Sequence, residues 1–392
     1  MWLERAFPVA RGEDTRPGEM PTVAVWNHTW LPASETFVRD HVESLGRWQP
    51  IAIGWHRSSG SIFHKPAVTL YSEAFVGKVL RKLSGRLMAR FLFRAVIKNR
   101  SVKLIHAHFG GGGIDALPIA RANSIPLVVT FHGKDVTARH HKPRVQAKYL
   151  RRLSEVFEYS TTLIAVSEFI ASKLIELGAP SSKVVVRYLG IPIVDAEPAD
   201  GNRQGILFVG RLVEKKGVED LIRAVALLPG QLRSTPLKIV GFGPELDALK
   251  FLAVSLGVNA QFLGLRTSAG VRTAMSESRI FVAPSKTAPN GDSEGFGLVF
   301  LEAAAQGLPI VSYDHGGVRE AVEANGNGLL SPEGDVLTLS MNIQRLLEDD
   351  CLWQAFSRRG RNRVEEDFNI DRLSPGLEAV YDEVSAKLRR TA

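Results

Sequence analysis

A single cysteine, Cys351, in 392 residues excludes an internal disulfide and any cysteine-based metal site. No Asp-x-Asp pair occurs, and no spaced cluster of His, Asp and Glu points to a metal. Gly-x-Ser-x-Gly and the Walker lysine motif are both missing, so neither motif-borne chemistry is expected. No apolar run reaches the roughly 18 residues needed to span a bilayer. The first twenty residues are polar, carry Glu4, Glu13, Asp14 and Glu19, and lack the apolar centre of a signal peptide. These absences favour a cytosolic protein. Acidic residues are missing from 76–100, where Lys78, Arg81, Lys82, Arg86, Arg90, Arg94, Lys98 and Arg100 interleave with Val79, Leu80, Leu83, Leu87, Phe91, Leu92 and Val96. That pattern suits a helix lying on an anionic leaflet, and a solvated outer helix is the plain alternative. The charge is lopsided beyond this stretch. Residues 1–195 hold 27 Lys and Arg against 15 Asp and Glu, whereas 196–392 hold 22 against 26. An anionic partner is therefore expected for the first half.

Short apolar runs alternate with helical periodicity along the chain. Strands are predicted at 22–27, 50–55, 104–109, 126–130, 162–166 and 183–188, and again at 206–209, 237–240, 260–263, 280–283 and 309–312. Helices fall between them, with Ser34 as the N-cap of one running to about Leu45. Residues 195–204 lack apolar periodicity and read as a linker. The domains expected are 1–195, 196–371, and a last helix, 372–392, returning to the first. Alternating strand and helix imply parallel α/β sheets.

The chain is organised around 292–309, Asp-Ser-Glu-Gly-Phe-Gly-Leu-Val-Phe-Leu-Glu-Ala-Ala-Ala-Gln-Gly-Leu-Pro. Its helix is apolar nearly all round and should be buried, so Glu302 on it needs a partner. Glu294 and Glu302, eight positions apart, meet one elongated ligand only if Glu294 sits in the loop ahead of the helix. Gly295 and Gly297 permit that, and the bare helix N-terminus at Phe296, Gly297 and Leu298 favours an anion. Further back, a strand ends at Gly210, and Arg211 and Lys216 leave its C-terminal end, where open α/β sheets bind ligands. Two cations there suit a pyrophosphate. Gly241 and Gly243 follow the next strand and let backbone approach a ligand. His132 ends a strand inside Thr-Phe-His-Gly-Lys-Asp. His106 and His108 flank Ala107 and are read as pointing to opposite faces of their strand, which leaves His108 for a cleft, with Gly110 to Gly113 closing on an acceptor or phosphate. For each residue a plain role exists: a capping Glu, a core-paired Glu, surface cations, a satisfied histidine.

Glu-Gly-Phe-Gly with the second Glu eight positions on resembles the Glu-x7-Glu signature of retaining, family 4-type glycosyltransferases. Ser34-Glu35-Thr36-Phe37 after the first strand, where a Gly-Gly loop is usual, resembles the bacterial exopolysaccharide and colanic-acid-type branch. Leu189-Gly190-Ile191-Pro192 departs from the family's Asn-Gly-Val-Asp. The resemblance spans nearly the whole chain. It implies a GT-B fold, two Rossmann-like domains facing a cleft with the last helix crossing back. It implies catalytic roles for His132, Arg211, Lys216 and Glu294: Arg211 and Lys216 on the donor diphosphate, Glu294 and His132 on its sugar, with Glu302 on the ribose. Gly210, Gly241, Gly243, Phe296, Gly297 and Leu298 would complete the donor site. His108, Gly111 and Ser34 are the acceptor-side candidates. No metal and no cofactor is expected, since the nucleotide sugar is a substrate. The expected partners are that donor, a glycan or lipid-linked acceptor, and an anionic membrane surface at 78–100 on the cytoplasmic side. A sugar-nucleotide epimerase on the same fold, a basic nucleic-acid-binding protein and an inactive scaffold are the competing readings.

Overall fold

The structure is a computed structural model that describes residues 20–30, 35–58, 67–71, 93–194 and 203–391. Ser34, residues 195–202 of the linker and the basic stretch up to 92 lie outside them. The remainder of that stretch forms a helix, 93–99, which buries Phe93 and Ile97 in the core and leaves Arg94 and Lys98 in water. Within these residues the stretch is an outer helix of an α/β layer.

Two parallel sheets carry the fold. The first contains β1 (Thr22–Trp26), β2 (Thr29–Trp30), β3 (Gln49–Arg57), β4 (Ala67–Tyr71), β5 (Val102–His108), β6 (Leu127–Phe131), β7 (Thr162–Ala165) and β8 (Val184–Val186). From β3 the order runs β1-β5-β6-β7-β8. β2 continues the line of β1 along β3, with Trp26 against Ile53 and Thr29 against His56, and β4 takes the other edge of β3. The second contains β9 (Ile206–Val209), β10 (Leu237–Val240), β11 (Ala260–Gly264), β12 (Ile280–Val282), β13 (Ile310–Tyr313) and β14 (Gly328–Ser331), in the order β11-β10-β9-β12-β13-β14. In each sheet the order reverses beside the first strand, between β1 and β5 and between β9 and β12. Reversal splays the following loops apart and opens a crevice at the strands' C-terminal ends. The two crevices face each other, which makes this the GT-B arrangement expected from the sequence.

Gly110 to Gly113, expected to close on an acceptor or phosphate, open the helix Phe109–Asn123. Their small size has a packing use. A Cβ on Gly113 would stand 3.1 Å from the Val129 methyls, so glycine lets this helix sit close on β6.

The final helix, Ile370–Thr391, crosses back onto the first sheet. Val380, Tyr381 and Val384 pack into the same cluster as Val23, Val25, Leu104, Val128 and Ile164, the alternate residues of β1, β5, β6 and β7. Glu378, 3% exposed, fixes the docking. The backbone N–H groups of Gly46, Arg47 and Trp48 donate to its Oε1 at 2.9, 2.5 and 3.2 Å, and Arg47 Nε donates to Oε2 at 3.3 Å. A buried carboxylate is tolerable only with such donors around it, and each charge-assisted bond contributes about 1.5–3 kcal/mol. Glu378→Ala should therefore cost about 2–4 kcal/mol, because three inward N–H groups lose their acceptor. Urea unfolding of the full chain checks this, and a midpoint like that of wild type would mean that water replaces the carboxylate.

Candidate functional site

The segments after β2, β6, β9 and β12 converge on one cleft of about 530 Å³ between the sheets. Of the residues singled out in the sequence, His132, Gly210, Arg211, Lys216, Glu294, Phe296, Gly297, Leu298 and Glu302 all line it. Gly241 and Gly243 do not. They pack behind Gly210 and Leu212, and a Cβ on either would collide with those residues' carbonyl oxygens. Their part is to hold the Gly210–Leu212 turn that carries Arg211. His108 and Gly111 line a second hollow, about 650 Å³, on the first domain beside Asn27, His28, Glu35 and Asp115.

Glu294 lies in the loop ahead of the helix Leu298–Ala305, whose N-cap is Gly297 at φ +91°. The loop is clamped from both domains. Ser293 N–H donates to Thr137 Oγ1 at 3.2 Å, Ser167 Oγ to the Gly295 carbonyl at 2.6 Å, and Arg139 N–H to the Asn290 carbonyl at 2.8 Å. Behind it, Glu294 N–H donates to His315 Nε2 at 3.2 Å. That requires the Nδ1–H tautomer of His315, and Glu333 Oε2 lies 2.9 Å from Nδ1 to accept it. Glu294 is ion-paired with Lys216, while Lys215 pairs with Asp292 at 2.8 Å. Burial pushes the Glu294 carboxyl up, but Lys216 and Lys215 outweigh it and hold it at about 2. It is charged throughout the working range.

Glu302 behaves oppositely. Burial and the neighbouring Asp40 carboxylate raise it to about 7, only partly offset by Arg272. Arg272 and Arg266 also line the cleft, as do Thr36, Phe37, Arg39 and Asp40. Thr36 and Phe37 belong to the Ser-Glu-Thr-Phe motif, whereas sequence reading missed Arg39, Asp40, Arg266 and Arg272. Arg266 and Arg272 sit in and beside an ordinary amphipathic helix, Ser268–Glu277, with no motif to flag them. Arg211 reaches the cleft as an exposed cation.

His132 lies between the rings of Phe37 and Phe109, with centroids at 4.7 and 4.6 Å. Phe109 adopts φ +65°, a strained conformation for a side chain of its size, next to the site. Burial lowers the His132 pKa to about 3, with a lesser effect from His41. Its Nδ1 is buried without a partner. Its Nε2 lies 3.0 Å from His108 Nδ1.

The reading that His106 and His108 face opposite sides is corrected here. Side chains alternate along a strand, so residues two apart share a face. The two rings stack at 4.8 Å and 27°, both against His41. His41, from the helix Thr36–Ser44, completes a three-histidine group whose nitrogens lie within 4.8 Å of one another, the group of this kind found among the described residues. These nitrogens are already engaged by neighbouring hydrogen-bonding groups.

The arrangement offers cations for an anionic leaving group, a fixed carboxylate, a second carboxylate that is neutral or charged near pH 7, and a neutral imidazole, all in one cleft. Comparison with known proteins agrees with this chemistry. Residues 193–363 match the family model "Glycosyl transferases group 1" and residues 35–194 match "Glycosyltransferase Family 4". The amylovoran biosynthesis glycosyltransferase AmsK of Erwinia amylovora is 31% identical over 300 residues, 73% of this chain and 71% of that protein. The putative colanic acid biosynthesis glycosyltransferase WcaL of Escherichia coli K12 is 30% identical over 273 residues, 67% and 66% of the two chains. Anabaena HepE, solved in complex with UDP and glucose, superposes with a TM-score of 0.75 at 21% identity, over 93% of this chain and 100% of that one. Sucrose-phosphate synthase from Thermosynechococcus elongatus superposes with a TM-score of 0.74, also at 21% identity, over 94% and 100%. The chain belongs to the group 1 and family 4 glycosyltransferases and is a glycosyltransferase of GT-B fold.

The two glutamates make opposite contributions to stability. The lowered pKa of Glu294 stabilises the fold above about pH 4.5, a contribution lost as pH falls toward 2. The raised pKa of Glu302 destabilises the fold as pH rises from about 4.5 through 7, by an amount on the order of 3 kcal/mol above that range. Glu302→Gln should therefore stabilise the empty protein at pH 8 and leave it unchanged at pH 4. Denaturant midpoints at the two pH values check this, and equal gains at both would assign the effect to packing.

Proposed function

We propose that the cleft transfers a sugar from a nucleotide-sugar donor to a polysaccharide precursor with retention of anomeric configuration, and without a metal. The convergence of Arg211, Lys216, Glu294, Glu302 and His132 on one cleft of nucleotide-sugar size supports this reading most directly. In it, Glu302 holds the ribose hydroxyls, and Arg211 with Lys216 neutralises the diphosphate. Glu294 and His132 orient the sugar. The glycosidic C–O bond breaks as negative charge gathers on the departing phosphate oxygen, where the two cations stabilise it. The acceptor hydroxyl forms the new C–O bond on the same face, and its proton passes to that oxygen. No protein nucleophile is needed.

Lys216 is paired with Glu294 while the cleft is empty. A diphosphate arriving beside Lys216 would share its ammonium, whose three donors can serve both groups. The relatives named for amylovoran and colanic acid biosynthesis support an exopolysaccharide product. The second hollow, beside His108 and Gly111, is the acceptor side. The basic first half and the run 78–100 support peripheral attachment to the anionic cytoplasmic leaflet, where a lipid-linked acceptor would be met. No helix among the described residues is long and apolar enough to cross a membrane.

A thermal-shift panel of UDP-, GDP-, ADP- and CMP-sugars, with and without chelator, tests the donor site. A ligand at a hundredfold excess over its dissociation constant should stabilise by about 2.7 kcal/mol. One responder unaffected by chelator is expected, and silence across the panel would overturn the reading. Glu294→Gln should lower turnover about a hundredfold or more while preserving the fold, and Arg211→Ala should weaken nucleoside-diphosphate binding about tenfold. Turnover assays and calorimetry check these. Charge removal at Arg81, Lys82, Arg86 and Arg90 should release the protein from anionic liposomes, and unchanged partitioning would leave 78–100 as an ordinary outer helix.

A further inference from the structure

His132 is one end of a buried hydrogen-bonded chain that runs to the last helix. His132 Nε2 lies 3.0 Å from His108 Nδ1, and His108 Nε2 lies 3.0 Å from His41 Nδ1. His41 Nε2 is 2.9 Å from the Tyr381 hydroxyl, which is 2.6 Å from His106 Nδ1. His106 Nε2 is 2.6 Å from Thr130 Oγ1, the other end. Thr130, His106, His41, His108 and Tyr381 are all under 8% exposed. All four imidazoles are held neutral by burial, at about 4 for His41, about 3 for His132, and well below the ordinary value for His106 and His108.

Proton counting decides what this chain presents to the cleft. A neutral imidazole has one N–H and one bare nitrogen, and each hydroxyl has one proton. Six groups therefore bring six protons to five hydrogen bonds. Uniform ordering leaves one proton over, at one end or the other. At the Thr130 end the hydroxyl is buried in the core, and among the described residues its hydrogen-bond partner is His106. A leftover O–H there would be a permanently buried unsatisfied donor. At the His132 end the unpaired atom is Nδ1, on a ring that lines the cleft. Of the two end residues only His132 lines the cleft, so the acceptor for the leftover proton comes from a ligand whose binding uncovers Nδ1.

We propose that this relay is ordered from Thr130 to His132, so that Tyr381 and His41 act as positioning residues fixing His132 as an Nδ1–H donor to an acceptor oxygen of the bound sugar. The inference rests on the glycosyl-transfer reading of the cleft. It gives the last helix a part in the site, since Tyr381 stands between two histidines of the first domain. In this ordering the Tyr381 hydroxyl donates to His41 Nε2 and accepts from His106 Nδ1–H. All four histidines then carry their proton on Nδ1. The reverse ordering puts all four on Nε2, with His132 offering a lone pair to a sugar hydroxyl proton instead.

The test uses the full chain labelled with ¹⁵N-histidine and reads tautomers by long-range ¹H–¹⁵N correlation at neutral pH. Nδ1–H on His41, His106, His108 and His132 is expected. Nε2–H on the four, or a mixture among them, overturns the ordering. Tyr381→Phe keeps the ring but removes the hydroxyl link. It should lower kcat about tenfold with donor KM within about threefold of wild type, since a misdirected donor bond costs about 1.4 kcal/mol in the transition state. His41→Phe cuts the same relay one link nearer the cleft and serves if Tyr381→Phe does not fold. The double variant should lose no more than either single, because the links act in series. Wild-type kcat in both singles overturns the proposal, as does one zinc ion per chain bound by His41, His106 and His108 in metal analysis. The tautomer measurement needs no substrate. Failure of every nucleotide sugar to bind would thus fault the functional reading, while the tautomer pattern judges the relay.

Discussion

A carboxylate taken out of water stays charged where a cation is held against it or hydrogen-bond donors surround it. Glu294 is the buried carboxylate of this cleft, and Lys216 is its cation. The rest of the site follows from keeping them together. Lys216 comes from the loop after β9, and Glu294 from the loop after β12. These strands are neighbours at the point where the sheet order reverses, so topology brings the two residues within reach. The glycines around Glu294 let its loop press against the first domain. A Cβ on Gly295 would collide with the His132 carbonyl. The ion pair and the domain contact are thus parts of one piece of structure, and a ligand that competes for Lys216 also acts on the loop joining the two halves.

The two glutamates divide the electrostatic cost of the site. Glu294 has a lysine against it and another nearby, and remains ionised. Glu302 sits on a helix of aliphatic and aromatic residues with Asp40 across the gap, and is ready to be neutral near pH 7. Eight positions of chain separate a fixed charge from a conditional one. A ligand that gives Glu302 hydrogen-bond donors relieves a penalty that the empty protein carries, and part of its affinity comes from that relief.

Local chemistry in the chain made much of this legible. The glycine-punctuated loop before an apolar helix announced where Glu294 and Glu302 would lie. The cations just beyond a strand end announced Arg211 and Lys216. Three things were not legible. Gly241 and Gly243 look like ligand-facing glycines, but their freedom is used on neighbouring backbone. Arg266 and Arg272 sit in and beside a helix like any other, and only the cleft on their side gives them meaning. His41 and Tyr381 are 340 positions apart, and nothing in either neighbourhood hints at the bond between them. The face shared by His106 and His108 was legible, because strand periodicity alone places residues two apart together.

The crossing of the last helix also bears on how the chain is made. Val380, Tyr381 and Val384 fill one face of a sheet whose strands are all synthesised before the second domain begins. On the ribosome, the part of that face not covered by Val38 and Val42 of the helix Thr36–Ser44 must therefore wait until the final helix emerges. The second domain has its own strands in one continuous stretch and can close first. The half translated first is the half finished last, and in the interval the uncovered part of its apolar face is a natural target for chaperones.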